Sequence, residues 1–172
     1  MNLKGIWKMF IKAYVRVLFF FLALASSMAG VQNLAISSES QAVLFETSEL
    51  TIVHGQERFQ FHIQLARSMA ALERGLMERR HLDADRGMLF DYGKPRLIRM
   101  WMKNTFIPLD MLFIDQSGAI IEIVANTNPH STRVIASPGP ALGVLELNAG
   151  TAARLSIRVG DRVLHEIFGS GI

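Results

Sequence analysis

From Arg58 to Leu65 every odd position is apolar and every even position polar. That period of two marks a strand with one dry and one wet face, so Phe59, Phe61, Ile63 and Leu65 should point inward and His62 outward. The period then changes. Ser68 can cap a short helix in which Met69, Leu72 and Leu76 recur at helical spacing, with Gly75 near its end, and this helix should lie across one end of the sheet. Further extended segments are expected over 87–92, 96–104, 109–115, 119–126, 142–148 and 161–167, and Asp115-Gln116-Ser117-Gly118 has the composition of a hairpin turn. Residues 151–157 have room for a second short helical turn. Residues 127–141, with three prolines, His130 and Arg133, read as a long irregular loop of a kind that often carries function. Many short strands with turn signals and little helix predict a mainly β fold: a single antiparallel sandwich, jelly-roll-like or barrel-like domain with one or two short helices.

The front of the chain follows another logic. Lys4, Lys8, Lys12 and Arg16 precede an apolar run from Val17 to Ala25, and the small residues Ser26, Ser27 and Ala29 follow it. This is the order of a secretory signal, with cleavage expected near Ala29. The strongly apolar stretch is shorter than the ~20 residues that span a bilayer, so contact with a membrane is expected only through this segment. Residues 30–49, rich in Ser, Gln, Asn and Ala, read as a flexible lead-in, and 50–168 as the single folded β domain.

Charge changes meaning once it is located. The formal net charge of +3 comes from 18 basic and 15 acidic residues. Four of the 18 basic residues lie before Val17 and no acid precedes Glu39, so the remainder carries 14 basic against 15 acidic residues. A near-neutral domain lacks the footprint of a nucleic-acid binder. There is no cysteine, which excludes disulfides, thiol catalysis, zinc–thiolate sites and a lipidated cysteine. The five histidines show no metal-pair spacing, and phosphate-loop, dinucleotide and nucleophile-elbow motifs are missing, so no metal or cofactor is expected.

The densest chemistry lies between Arg99 and Asp110. If 96–104 is extended, Ile98, Met100 and Met102 share a core face while Arg99, Trp101 and Lys103 share the other. An aromatic ring between two cations suits an anion, a sugar or a polar partner; equally, the cations could lie along the sheet with Trp101 covering it. Asp110 opens an apolar segment and shares a face with Leu112 and Ile114, so its carboxylate should be withdrawn from water and need a partner. Lys103, Asn104 or Arg79 could supply one, either holding the 105–108 turn or poising an acid. Glu146 interrupts another apolar stretch. Were its strand beside that of Asp110, two carboxylates and Lys103 could do acid–base work; on an edge strand Glu146 would instead face water.

The order of several segments resembles the bacterial and archaeal family called domain of unknown function 192. They are Arg74-Gly75-Leu76-Met77-Glu78-Arg79, Gly87-Met88-Leu89-Phe90, Trp101-Met102-Lys103-Asn104-Thr105, the run 107–115, and Val144 to Gly150 followed by Gly160-Asp161. The resemblance extends from about Thr51 to Glu166. It implies a compact, mainly β domain, often behind an export signal, and brings no reaction with it. The expectation is therefore an exported periplasmic or secreted protein that binds a small polar ligand or an envelope polymer. Arg79, Arg99, Trp101, Lys103, Asn104 and Asp110 are the candidate contacts. One alternative is an envelope-acting hydrolase or lyase using Asp110 and Glu146 with Lys103; another makes Asp110 architectural and puts function on a protein-partner surface elsewhere.

Overall fold

The computed structural model describes residues 43–169, so the expected signal segment, its cleavage near Ala29 and most of the lead-in lie outside the described residues. The first strand, β1 (Glu46–His54), forms a hairpin with β2 (Glu57–Ala66), paired from Glu46 opposite Leu65 to His54 opposite Glu57. β2 is the strand read from alternation: Phe61, Ile63 and Leu65 are buried and His62 is exposed. β1 extends into the expected lead-in. Its first half, Glu46 to Glu49, has no apolar residue and forms a strand because β2 supplies the hydrogen-bonding edge.

Ser68 caps α1 (Met69–Arg74), its hydroxyl accepting from the Ala71 amide at 3.1 Å. Gly75 ends the helix with φ 47°, and a Cβ there would stand 2.9 Å from the Phe90 ring, so both backbone and space demand glycine. This segment carries the chain over to β3 (Arg86–Arg96), which pairs with β2 in parallel, the one parallel neighbour in an otherwise antiparallel sheet.

The segment expected as a strand over 96–104 is mostly irregular. Arg96 still belongs to β3, opposite Ala141, and beyond it only β4 (Arg99–Met100) pairs, with β7 (Ile135–Ala136), inside the long loop, in a separate two-stranded ribbon. The alternation survives because loop groups replace a ladder: Ser137 N–H donates to the Ile98 carbonyl, the Ser137 hydroxyl accepts from Ile98 N–H, and Met102 N–H donates to the Ser131 carbonyl. Ile98, Met100 and Met102 are buried and Arg99, Trp101 and Lys103 exposed, as the pattern predicts.

β5 (Leu109–Ile114), β6 (Ile120–Val124), β8 (Ala141–Asn148) and β9 (Arg162–Leu164) complete a seven-stranded sheet in the order β6-β5-β8-β3-β2-β1-β9. The Asp115–Gly118 turn joins β5 to β6, with the Asp115 carboxylate accepting from Ser117 and Ala119 amides. α2 (Thr151–Arg154) follows β8, and a 3-10 turn (Glu166–Phe168) ends the described chain. The sheet curls into a half-barrel whose edges meet at one end, where Ala119 bridges Arg162 and Ile120 N–H donates to Asp161.

β5 and β8 are interior strands and read as nearly continuous apolar runs because both faces of the sheet are covered. Leu50, Ile52, Ile63, Leu89, Leu112 and Leu145 fill the inside of the curl. Outside it, Met88, Phe90, Met111, Phe113 and Val144 lie beneath α1, the segment after it and the β4/β7 ribbon. Inside the curl, strand contact between β3 and β8 is tight: a Cβ on Gly87 would lie 2.8 Å from the Glu146 carbonyl and 2.8 Å from Leu147 Cδ2. Gly87→Ala should therefore cost about 1–3 kcal/mol in urea unfolding, the range for overpacking; a loss below about 0.5 kcal/mol would show that β3 and β8 can part without strain.

Candidate functional site

Asp110 is fully buried at the start of β5. One carboxylate oxygen accepts from the amides of Asn126 at 3.0 Å and Gly150 at 3.1 Å, the other from Ala152 at 2.9 Å. Gly150 is the cap residue of α2 and has no side chain to cap with, so Asp110 performs that role from another strand while also holding the chain that leaves β6. The expected partners Lys103, Asn104 and Arg79 make no bond to it. Three backbone donors converge on the carboxylate instead, which favours the architectural alternative for Asp110.

Glu146 is on the neighbouring strand but on the other face. Asp110 stands opposite Leu147, and Glu146 opposite Met111 on β5 and Met88 on β3. Directly paired residues share a face, so Asp110 points into the curl and Glu146 points outward, and the shared Asp110–Glu146–Lys103 acid–base site does not form. Nor is Glu146 on an edge strand facing water: β8 is interior and the residue is only 4% exposed. Among the described residues its carboxyl has no hydrogen-bond or salt-bridge partner, and burial pushes it up to about 8. At neutral pH it is therefore mainly the neutral acid, with an O–H to donate.

Glu146 lies at the base of a cavity of about 270 Å³. α1 and the turn after it form one wall with Leu72 and Met77; Phe90 and Tyr92 of β3 form another; Met100 and Trp101 form a third. Tyr92 donates to the Met100 sulfur at 3.2 Å, and its own ionisation is pushed up by burial and then by Glu146. Arg74, Arg96 and Arg99 stand around the space. Arg74 is paired with Glu78 at 2.8 Å, whereas Arg96 and Arg99 have no carboxylate partner among the described residues; Arg96 lies over the Tyr92 ring at 5.8 Å. An acid that can donate, apolar walls and two uncompensated guanidinium groups suit a small molecule with an apolar body and a negative end.

The candidates thus separate. Arg99, Trp101 and Glu146 line one cavity, and Lys103 lies just outside it, its ammonium 5.5 Å from the half-exposed Trp101 ring. Asn104 is exposed at φ 56°, its carbonyl accepting from the Glu78 amide. Arg79 reaches Gln64 on β2. Sequence reasoning missed Tyr92, Arg96, Leu72 and Met77 as cavity residues. The Gly75-Leu76-Met77 motif was one available signal, because a glycine that lets a helix end against Phe90 also sets the depth of the space. Among the described residues no group of three or more His, Asp or Glu is arranged to hold a metal ion.

Two solved structures are similar to the chain over 73% of its length. One, a proposed transcription regulator from Sinorhizobium meliloti 1021, is 42% identical, matches over 98% of its own chain and superposes with a TM-score of 0.71. The other, a protein of unknown function from Novosphingobium aromaticivorans, is 34% identical over 96% of its chain, with a TM-score of 0.68. A search of curated proteins gives no match. The model of the family described as Uncharacterized ACR matches residues 50–165, two thirds of the sequence and nearly the whole β domain. The chain belongs to this family, the domain of unknown function 192.

Proposed function

We propose that the protein is an exported accessory domain that binds a small organic anion with an apolar body in the cavity above Glu146. The observation that carries this reading is the carboxyl of Glu146, a residue only 4% exposed, which has no partner among the described residues and opens onto a space bordered by Arg96 and Arg99. A buried carboxyl without a partner costs folding energy, and such a cost is commonly found where a ligand completes the hydrogen bonding. The ligand's apolar body would lie on Phe90, Met100 and Trp101, its charged end against Arg96 and Arg99, and a polar atom at its inner end would accept from Glu146. Export rests on the order of cations, apolar run and small residues that ends at Ala29, with release into the periplasm or beyond. The relative described as a proposed transcription regulator does not redirect this reading, since 14 basic against 15 acidic residues beyond the N-terminal segment provide no excess charge for a phosphate backbone.

Trp101 reports on the site. In the full chain carrying Trp7→Phe it is the sole tryptophan, and its emission should change saturably with hexanoate or benzoate but not with neutral benzyl alcohol. Arg99→Gln should weaken the response about five-fold, equivalent to about 1 kcal/mol for an exposed charge pair. Affinity should also fall as pH rises through about 8, when Glu146 loses its proton and repels the anion. An emission indifferent to every anion, with the fold intact, would sink the proposal.

A further inference from the structure

On the other side of the segment that follows α1 lies a second cavity, of about 230 Å³, with a different chemistry. β1 and β2 provide Thr47, His62 and Gln64, β3 provides Arg86, and the connecting segment provides Arg79. The pairing register explains the convergence. Thr47 is opposite Gln64 and His62 is opposite Arg86, so these side chains emerge on one face over three adjacent strands.

Arg79 is the unusual member. Its guanidinium donates to the Gln64 side-chain oxygen and lies 5.9 Å from the Phe45 ring, which fixes its position. It is partly buried, yet no carboxylate among the described residues pairs with it. Two arginines of this region are neutralised, Arg67 by Glu46, Asp91 and Glu166 and Arg74 by Glu78, while Arg80, like Arg79 without a carboxylate, is exposed and lies over the Phe106 ring. Burial, and then Arg74, lower the Arg79 ionisation from its usual value, as expected for a cation held without an anion. The nearby acids are already engaged, Asp83 with His81 at 2.8 Å and Glu49 with His62 at 3.2 Å. Arg86 is only loosely held, 4.0 Å from Asp85. A guanidinium has five N–H donors in a planar fork, and Arg79 spends one on Gln64.

We propose that this second cavity is an oxyanion site, in which Arg79, with Arg86 and the Thr47 hydroxyl, binds the phosphate group of a small molecule. The inference is independent of the Glu146 cavity: the two spaces share no lining residue, and either site can exist without the other. The role also predicts an uncoupling of stability from binding. A structural arginine loses stability when removed, whereas removal of a half-buried cation without an acid should leave folding unharmed and abolish the anion affinity.

The test is calorimetric titration of the full chain with inorganic phosphate at low ionic strength, comparing wild type with Arg79→Gln, Arg79→Lys, Arg86→Gln and, as an exposed cation lining neither cavity, Arg158→Gln. The expected result is saturable binding that weakens at least ten-fold in Arg79→Gln, less in Arg79→Lys, about three-fold in Arg86→Gln, and not in Arg158→Gln. The thermal midpoint of Arg79→Gln should equal or exceed that of wild type. A second arm offers phosphatidylcholine vesicles with or without phosphatidylglycerol. Retention that needs both the anionic lipid and Arg79 assigns the oxyanion to a headgroup; phosphate binding without such retention assigns it to a small molecule. Absence of phosphate binding by wild type, or equal binding by Arg79→Gln, overturns the proposal. Should Arg79→Gln fail to fold, Arg86→Gln decides: undiminished binding in that variant overturns it as well.

Discussion

Glu146→Gln should be more stable than the wild-type chain at pH 8 by a few kcal/mol, with the advantage shrinking steadily as the pH is lowered toward 5. Burial raises the folded-state ionisation of Glu146 from its ordinary 4.5 to about 8, so between those values the folded protein holds a proton that the unfolded chain has released. Stability supplied by the neutral acid is fully present below about 4.5, is lost as the pH rises through the window, and changes no further above about 8. The slope attributable to this residue is about 1.4 kcal/mol per pH unit. Glutamine keeps the shape and loses the titration. Urea midpoints for both proteins across pH 5 to 9 isolate the effect, because every other titrating group is common to the two. Parallel stability curves would mean that Glu146 ionises freely in the folded protein, and would remove the buried acid from the proposed binding site.

The second large effect belongs to Asp110. Asp110→Ala should lose roughly 3–5 kcal/mol, because the backbone N–H groups of Asn126, Gly150 and Ala152, the last of them buried, would lose the carboxylate they share and α2 would lose its cap. Asp110→Asn should fall between, since an amide oxygen can still accept from one side while its NH₂ group meets a backbone donor on the other. Urea unfolding at neutral pH measures both. An alanine variant within about 1 kcal/mol of wild type would refute the architectural role. The response of Trp101 to anions should survive in any Asp110 variant that folds, because the carboxylate points into the curl, away from the Glu146 cavity.

The two predictions concern residues that look alike in the sequence, single acids interrupting apolar runs. What distinguishes them is cross-strand register. A shift of one residue in the pairing of β5 with β8 would have placed the two carboxylates on one face and made the acid–base site; the observed register puts them on opposite faces. Arg79 shows the same limit. Its distance in sequence from Gln64 gives no sign that the connection from β2 to β3 is a parallel crossover bringing the two together.

Features that depend on short-range rules were legible in the chain alone. The wet and dry faces of β2, the Ser68 cap, the Asp115–Gly118 turn, the alternation of Ile98, Met100 and Met102 with Arg99, Trp101 and Lys103, and the mainly β class all follow from periodicity and local hydrogen bonding. Tertiary structure alone decided that polar Glu46–Glu49 becomes strand, that most of 96–104 does not, and which groups converge from distant positions. The reason is physical: side-chain direction along one element is set by backbone geometry over a few residues, whereas the partners of Asp110, Glu146 and Arg79 are set by the curl and register of the whole sheet.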